Sequence, residues 1–476
     1  RGVSLVLNPS ASHFAFGKQA IRARLVREGA AAVGGAYVYA NLLGNEAGRA
    51  VYDGGTLFAA ADTHGEGRLV AAGRRFSMAD HTVTVVDVPL QDAVVEATEI
   101  APADVTLDHA LGAPPEPIPA TLAGAGAALT SKHEEFSRVV PLALVDYLRK
   151  SGARGFVLSL SGGADSGAVA TLVWLLAKLG LAELGAAGLA ARLPRVEGLA
   201  DARDAGDAVG RLLTTVYQAT ENSSETTRDA ARRLVSAIGA AHHEWDVDPI
   251  VAASRERIEA AIGRPLDWRT DDIALQNVQS RSRSPAVWML ANVLGALLLT
   301  TGNRSEASVG YATMDGDTSG GFAPLAGVDK AYLLEWLGWM ERSGPQEIGP
   351  LPELAAINAQ QPTAELRPIA AGQTDEADLM PYPVLDAIER SAIGALEPRD
   401  ATLARLVDRF PEYDRGQLAA WVDRFWALWR GSQWKRERIA PGLHLDTLSV
   451  DPKTWRRWPI LSGPDAGRPG FSSSDA

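Results

Sequence analysis

Short apolar runs separated by turn residues follow one another through residues 3–88, in the pattern of a packed sheet. One longer stretch in this region, near residues 16–32, has the periodicity of an amphipathic helix. We therefore predict a single helix among several strands. The predicted strands cover residues 3–7, 36–41, 55–61, 68–72 and 82–88.

From residue 132 the pattern changes to apolar strands that alternate with longer helical stretches. A helix predicted over 134–149 leads to a strand over 155–160 and a second helix over 166–179. This alternation is typical of an α/β fold with a parallel, doubly wound sheet. Further strands are predicted over 214–218, 243–247 and 297–301.

Two other segments have the composition of connecting or terminal chain. A Pro/Ala/Gly-rich passage over 111–131 predicts an interdomain linker. The Gly/Pro/Ser-rich end over 463–476 predicts a disordered tail. We therefore expect one domain over 1–110 and a second over 132–462.

Composition and charge exclude several classes of function. The 476 residues include no cysteine, which removes disulfides, thiolate metal sites and cysteine nucleophiles. The net charge of −12 gives the surface no general attraction for nucleic acid or anionic lipid. The longest apolar stretch, over 286–299, is too short for a bilayer span and predicts a buried core helix. We expect neither a membrane nor a nucleic acid as partner.

The beginning of the chain carries a prediction of its own. No charged and then apolar leader precedes the first predicted strand, so we expect a cytoplasmic protein. Arg1 stands where a start methionine would. We therefore expect the chain to have been cut from a longer protein.

A glycine turn after the strand over 155–160 is the most informative segment. Two glycines let a ligand approach the backbone, serines supply hydroxyl donors, and the next helix directs its free N–H groups into the turn. An ordinary tight turn is the alternative, but Asp165 would repel a phosphate unless a cation lay between them, so it indicates Mg²⁺. The predicted phosphate-binding residues are Ser159, Leu160, Ser161, Gly162, Gly163, Ala164, Asp165 and Ser166.

This turn resembles the Ser-Gly-Gly-x-Asp-Ser signature of the ATP pyrophosphatases. Members of that group cleave ATP to AMP and pyrophosphate while they adenylate an acyl or carbonyl oxygen. They include NAD synthetases, GMP synthetases, asparagine synthetases and tRNA-modifying enzymes. The turn by itself does not choose among them.

Two later segments add candidate ligands. Asn277 and Arg281 are four residues apart and share one face of a predicted helix, with Arg283 nearby. An amide and arginines so placed suit a dinucleotide pyrophosphate or a nicotinate carboxylate, although a solvated basic face has the same pattern. Glu306 follows a second strand, where open α/β sheets bind ligands, and is a candidate second Mg²⁺ ligand.

The segment after Glu306 is dense in Gly and Asp, which is typical of a mobile loop that closes over a site. We expect this loop over 315–327. Ser305 is the predicted N-cap of the helix that carries Glu306. Lys330 opens the next predicted helix, from which its ammonium group would reach phosphate as a point charge.

Taken together, residues 134–461 resemble the NAD synthetase family. The resemblance continues through residues 220–227, 362–366, 373–376, 379–382 and 434–436. It implies an adenine nucleotide alpha hydrolase-like, Rossmann-like domain that acts as a ligase with ATP and Mg²⁺. It also implies deamido-NAD and ammonia as the other substrates, and a homo-oligomer built on a synthetase dimer.

The resemblance implies roles for individual residues. Asp165 and Glu306 would hold Mg²⁺, Thr301 would lie at ATP, and Lys330 would lie close to the ATP phosphates, so that Asp165, Glu306 and Lys330 form the catalytic set. The residues implied at deamido-NAD are Asn277, Arg281, Asn303, Glu306, Tyr311, Ala312, Thr313, Met314 and Lys435.

The first domain resembles the latter part of a nitrilase-like glutaminase domain, through residues 8–18, 35–41 and 52–55. This implies an incomplete α+β sandwich, in which Ser12 and Lys18 match glutamine-binding positions. The Glu, Lys and Cys triad of that chemistry would precede the residues present here, so we expect free ammonia to be the nitrogen source. We also expect the strand over 3–7 to expose a sheet edge.

The expected function is therefore the amidation of deamido-NAD through an acyl-adenylate, with release of AMP and pyrophosphate. Two alternatives remain. One is another adenylating enzyme, of the GMP-forming or tRNA-modifying kind. The other is a nucleotide-binding regulator without turnover.

Overall fold

The computed structural model describes residues 4–46, 48–87, 131–363, 365–368 and 374–460. These residues form two compact units, one within residues 4–46 and 50–135 and the other within residues 48–49 and 136–460. The predicted tail lies outside the described residues, and so does the predicted linker except for Ser131. Both therefore remain predictions.

The first unit is a mixed sheet with one helix. Four strands lie in the order β1-β2-β5-β6, with β1 and β2 parallel and the other neighbours antiparallel, while β3 and β4 form a separate hairpin. Val26 and Ala30 of the helix pack against Tyr39, Leu57 and Ala59 of the sheet. The elements are β1 Leu5–Ser10, α1 Lys18–Val33, β2 Ala36–Asn41, β3 Leu43–Glu46, β4 Ala50–Asp53, β5 Thr56–Ala61 and β6 Gly67–Ala72.

Predicted and observed strands differ at two places in this unit. The strand predicted over 82–88 is wrong, because residues 82–87 form no strand and residue 88 lies outside the described residues. Val83 and Val85 there are 79% and 48% exposed, so alternating β-branched residues favour an extended chain without supplying a neighbour to pair with. The β3–β4 hairpin was not predicted, since Gly44 and Asn45 are weak strand formers.

The strand β1 lies at one edge of the sheet in the first unit. Two of its apolar side chains, Leu5 and Leu7, are 43% and 68% exposed. The expectation that the first strand exposes a sheet edge is therefore confirmed within the described residues.

The second unit contains a four-stranded sheet whose described strands are all parallel, in the order β10-β7-β8-β9. The predicted parallel, doubly wound sheet is confirmed. Its strands are β7 Phe156–Ser159, β8 Leu213–Ala219, β9 Ala241–Asp246 and β10 Leu297–Leu299. The helices from residue 132 onward are α2 Lys132–Ser151, α3 Ala164–Arg192, α4 Ala205–Leu212, α5 Glu225–Ile238, α6 Asp248–Ile262, α7 Asp272–Leu294, α8 Arg304–Val309, α9 Lys330–Arg342, α10 Ala355–Asn358, α11 Asp375–Asp378, α12 Tyr382–Glu389, α13 Arg399–Arg409, α14 Arg415–Gly431 and α15 Gln433–Arg436.

The strand order reverses at β7. The chain passes from β7 to β8 and β9 on one side and then returns to place β10 on the other side. Ligands of open α/β sheets bind at such a reversal, beyond the carboxyl ends of the strands. The turns that follow β7 and β10 therefore meet at the expected position for a site.

The helix α3 follows the first of these turns and runs through the core. Its first turns are almost completely buried, from Ser166 to Ala177. Within the described ranges it is also the one helix long and apolar enough to cross a bilayer, but 67% of its apolar window is buried inside the protein. Such burial is that of a core helix.

The apolar stretch over 286–299 does not form the buried core helix that we predicted. Its first part ends α7 and its last part forms β10. Val287 and Ala291 pack against the sheet, whereas Met289 and Val293 are 67% and 82% exposed. The prediction was wrong because uniform apolarity does not show which face of a helix packs on the sheet.

Candidate active site

The glycine turn between β7 and α3 has a backbone that only glycine allows at one position. Gly162 has φ +81°, and a Cβ there would lie 1.9 Å from the carbonyl oxygen of Thr227. Gly163 is extended and precedes α3, whose first N–H groups have no intrahelical acceptor and face the turn. The hydroxyl of Ser166 accepts the Ser161 N–H at 3.2 Å and so holds the turn closed. The local structure suits an anion.

Three charged side chains meet at the end of this turn, and we call them the cation centre. Lys330 forms a short ion pair with Asp165 and lies 3.7 Å from Oε1 of Glu306. Burial lowers the pKa of Lys330, but the two carboxylates raise it more, so the pKa lies above its ordinary value. Burial and the nearby Asp165 raise the pKa of Glu306. The structure thus brings together the three residues of the predicted catalytic set.

Asn303 connects the members of the cation centre. Its Nδ2 donates to Oδ1 of Asp165 at 2.9 Å, and its Oδ1 accepts the Glu306 N–H at 3.0 Å. Asn303, and not Ser305 as predicted, is the N-cap of α8, in a capping box with Glu306. Ser305 lies within the first turn of α8 and is fully buried, where it donates to Asp386 and accepts the N–H of Lys330.

A cavity of about 240 Å³ opens beside the cation centre. It is bounded by both sheet-end turns and by residues of α7 and of the 311–319 segment. The predicted site residues that line it are Ser159, Leu160, Ser161, Gly163, Ala164, Asp165, Ser166, Thr301, Glu306, Tyr311, Ala312 and Lys330. Those that do not line it are Gly162, Asn277, Arg281, Asn303, Thr313, Met314 and Lys435.

Most residues of the second group surround the segment 310–314 instead. Asn277 accepts the Thr313 hydroxyl at 2.9 Å, and Arg281 donates from Nε to the Met314 carbonyl at 3.0 Å. Lys435 donates to the carbonyl oxygens of Gly310 and Ala312 at 2.7 and 2.8 Å. Burial lowers the pKa of this lysine. Asn277 and Arg281 also line a second, more open cavity along α7.

The expected mobile loop over 315–327 is anchored over its second half. The N–H of Thr300 donates to the Phe322 carbonyl at 2.9 Å, and the Gly321 N–H donates to the Leu298 carbonyl at 2.8 Å. Phe322 and Leu325 have no exposed surface. The expectation failed there because apolar side chains among the glycines bury themselves in the core.

Several cavity residues were not predicted as site residues. Gln218 ends β8 beside the glycine turn, and its Nε2 donates to Ser159 at 3.1 Å. Asp375 accepts the Tyr382 hydroxyl at 3.1 Å, and burial raises the pKa of its carboxyl. Gln218 is the last residue of the strand predicted over 214–218, and Asp375 lies in the segment 373–376 that resembles the NAD synthetase family. These two signals could have identified both residues. Further unpredicted residues of the cavity include Asp317, Thr363 and Glu365, and the cavity is also lined by Arg283, which the sequence offered only as a second arginine near Arg281.

The predicted glutamine contacts lie in the first unit. The Ser12 hydroxyl accepts Nε of Arg22 at 3.3 Å, and Lys18 donates to the His13 carbonyl at 2.8 Å. Arg22 also pairs with the buried Asp53 at 2.7 Å. The side chain of Ser12 therefore belongs to a polar cluster around Asp53.

Comparisons with known proteins agree with this geometry. The sequence model of the family described as NAD synthase matches residues 137–405. A glutamine-dependent NAD(+) synthetase from Oryza sativa subsp. indica is 32% identical over 410 residues, which cover 79% of this chain and 54% of that protein. The chain thus spans about half the length of this curated relative.

Two solved structures are also similar. A glutamine-dependent NAD(+) synthetase from Cytophaga hutchinsonii is 39% identical with a TM-score of 0.78, over 98% of this chain and 70% of that one. A second, from Acinetobacter baumannii in complex with ADP, is 21% identical with a TM-score of 0.51, over 96% of this chain and 68% of that one. The second likeness concerns the fold alone.

Proposed function

Because this chain belongs to the NAD synthase family, we propose that it makes NAD by amidating deamido-NAD with ammonia at the expense of ATP. The observation that carries the proposal is the cation centre. Asp165, Glu306 and Lys330 come from three separate segments and meet at the reversal of the sheet, beside a turn built for an anion. Such a site suits polyphosphate chemistry.

The ATP phosphates would lie against the glycine turn. The N–H groups at the start of α3 would bind phosphate oxygens, and Lys330 would balance the charge that develops on them. Thr301, at the end of β10, lines the same cavity. These groups bind and orient the nucleotide.

The cation centre also fits Mg²⁺. Two carboxylates face one ammonium group there, so the space between them already suits a positive charge. Asp165 and Glu306 would hold the ion, since Mg²⁺ is commonly bound by one or two carboxylates together with substrate phosphates. When bound, it would neutralise phosphate charge.

The reaction then needs no protein nucleophile. The carboxylate of deamido-NAD attacks the α-phosphorus of ATP, pyrophosphate leaves with the bond electrons, and ammonia displaces AMP from the acyl-adenylate. The protein contributes orientation and charge balance, which are the main terms in phosphoryl transfer. The segment 311–319 would cover the adenylate and limit its hydrolysis.

The dinucleotide would lie along the 310–314 segment. Asn277, Arg281 and Lys435 all contact this segment, so they would position it or bind the dinucleotide beside it. Tyr311 and Ala312 line the 240 Å³ cavity that would hold ATP, which we call the nucleotide cavity, and so connect it to this region. This arrangement connects the reacting carboxylate to ATP.

Free ammonia is the proposed nitrogen source for the residues present here. The sequence has no cysteine, and nitrilase-like glutaminases use a cysteine thiol to release ammonia from glutamine. Ser12 and Lys18 would keep only a glutamine-binding role.

We also propose that two copies of the chain associate through α6 and α7. Within its described span α6 has no buried residue. Ile273, Met289 and Val293 of α7 are 73%, 67% and 82% exposed, which is an unusual density of apolar surface. A second copy would bury these side chains and cover the cavity at Asn277 and Arg281.

One assay tests the function. We expect pyrophosphate release and NAD formation to require deamido-NAD and ammonium, and glutamine not to replace ammonium. Release that depends on xanthosine monophosphate or tRNA instead would favour another adenylating enzyme. ATP binding without AMP release would favour a regulator.

A further inference from the structure

The guanidinium group of Arg283 faces the nucleotide cavity and has no hydrogen-bond or ion-pair partner among the described residues. Arg283 lies on α7 and lines that cavity together with the glycine turn. Its Nε is buried and makes no hydrogen bond to any residue that the structure describes. The residue as a whole is half-buried, and a buried N–H donor without a partner is unfavourable, so the arrangement calls for an explanation.

Three polar neighbours of Arg283 on α7 are engaged with other segments. Gln279 accepts Nδ2 of Asn222 at 2.9 Å and donates to the Leu366 carbonyl at 2.8 Å. Ser280 accepts the N–H of Asp317 at 3.1 Å, and Ser284 donates to Ser319 at 2.6 Å. These contacts therefore fix the inner face of α7 in place around Arg283.

Three carboxylates influence Arg283, and two of them, Glu365 and Asp317, are engaged elsewhere. Glu365 accepts the hydroxyl groups of Ser224 and Thr227 at 2.8 and 3.0 Å. Asp317 accepts the N–H of Thr313 at 2.7 Å. These acids raise the pKa of Arg283, but burial lowers it more. Their negative charge is near, yet neither acid forms an ion pair with the guanidinium.

We propose that Arg283 binds two anionic oxygens of a substrate in the nucleotide cavity, from a phosphate or a carboxylate group. A guanidinium presents parallel N–H donors that match such a pair of oxygens. Lys330 is held by Asp165 and Glu306, so Arg283 is the cation of the cavity that is available without breaking an ion pair among the described residues. The identity of the substrates rests on the proposed function.

This assignment separates two arginines that are two positions apart. Arg281 is exposed, is held by the Met314 carbonyl and lines the outer cavity. Arg283 points inward, because two positions on a helix differ by about 200° around the axis. The inner anion contact therefore falls to Arg283.

The test compares Arg283→Met, Arg283→Lys and the control Arg233→Met, by calorimetric binding without turnover. Arg233 lies on α5, is 63% exposed and pairs with Asp229, so it matches the charge change outside the cavity. The probes are the non-hydrolysable ATP analogue AMPPCP, inorganic pyrophosphate, deamido-NAD and NAD. We expect Arg283→Met to raise the Kd of at least one anionic probe about tenfold or more, with Arg283→Lys between it and the wild type.

The probes distinguish the two sources of anionic oxygen. Loss of affinity for deamido-NAD but not for NAD identifies the carboxylate, because the two differ only in carboxylate against amide. Loss for AMPPCP and pyrophosphate identifies phosphate. Unchanged affinity for every anionic probe, within about twofold, overturns the proposal.

Stability separates binding from a structural role. Since Arg283 has no partner within the part of the chain that the structure describes, we expect Arg283→Met to unfold at the same urea concentration as the wild type or at a higher one. A lower midpoint for Arg283→Met, shared by Arg283→Lys, would overturn the proposal. These measurements need no catalysis. An inactive wild-type chain would therefore refute the proposed function, but the binding affinities would still test the role of Arg283.

Discussion

The guanidinium of Arg304 donates from Nε to Oε1 of Glu389 at 2.6 Å, and neither side chain has exposed surface. The same group reaches Asp329 at 2.8 Å and Asp446 at 3.1 Å. Asp329 caps α9, which begins with Lys330, and Arg304 begins α8, which carries Glu306. This buried ion cluster therefore holds the two helices that present the cation centre.

Replacing Arg304 should strongly destabilise the folded protein. Arg304→Met leaves the buried Glu389 without its arginine and leaves Asp329 and Asp446 with Arg390 alone, so we expect the free energy of unfolding to fall by about 3–5 kcal/mol. Urea denaturation measures the change. The control Arg203→Met breaks an exposed pair with Asp207 and should cost less than about 1 kcal/mol. Equal losses in the two variants would contradict a buried cluster that fixes α8 and α9.

The same cluster predicts a pH dependence through Asp386. Burial, with help from Asp329 and Glu389, raises the pKa of this carboxyl. The folded protein therefore binds its proton more tightly than the unfolded chain does, and the resulting stability is lost as the pH rises through the raised pKa. We expect Asp386→Asn to become more stable than the wild type as pH increases. A difference in unfolding free energy that shrinks with rising pH would contradict the assignment.

Asp165 should be needed for chemistry but not for folding. With Asp165→Ala, we expect pyrophosphate release to fall at least about a hundredfold, because the proposed Mg²⁺ site loses one of its two carboxylates. Glu306 remains close to Lys330, so the urea midpoint should change little. The matched control is Asp201→Ala, an exposed aspartate outside the site. Near-normal turnover by Asp165→Ala at saturating Mg²⁺ would remove Asp165 from the mechanism.

Adjacent glycines in the turn should respond differently to alanine. At Gly162 the added Cβ meets the Thr227 carbonyl and a left-handed backbone, so we expect a loss of about 1–3 kcal/mol or more. At Gly163 the nearest atom is the Ser161 hydroxyl at 3.5 Å, an ordinary contact. Thermal unfolding of the two variants measures the difference. A larger loss for Gly163→Ala would show that the turn has another backbone conformation.

The apolar face of α7 should control association. We expect Val293→Asp to shift the protein from dimer to monomer in sedimentation at micromolar concentration, because a charge at the interface core is poorly tolerated. Ala237→Asp, on the exposed face of α5, is the control and should remain dimeric. A wild-type monomer, or a dimeric Val293→Asp, would contradict the proposed interface.

Local pattern was sufficient for the four strands of the second unit and for the first half of α3. Strand runs and helix periodicity predicted β7, α3, β8, β9 and β10 in order, because each depends on side chains close together along the chain. The glycine turn was equally visible, since its residue types have conformational and donor properties of their own. The strand predicted at residues 82–87 did not form, which shows the limit of local pattern. A strand needs a second strand to pair with, and the local pattern does not identify that partner.

The sequence by itself determined the fold class, the anion-binding turn and the charged residues available to it. Only the tertiary structure decided that Lys330 reaches Asp165 across 165 positions of chain, that Arg283 faces inward while Arg281 faces outward, and that Phe322 anchors the expected loop. The physical reason is that burial and ion pairing depend on which surfaces meet. Which surfaces meet depends on how distant segments of the chain pack together, and not on the residues that are adjacent in the sequence.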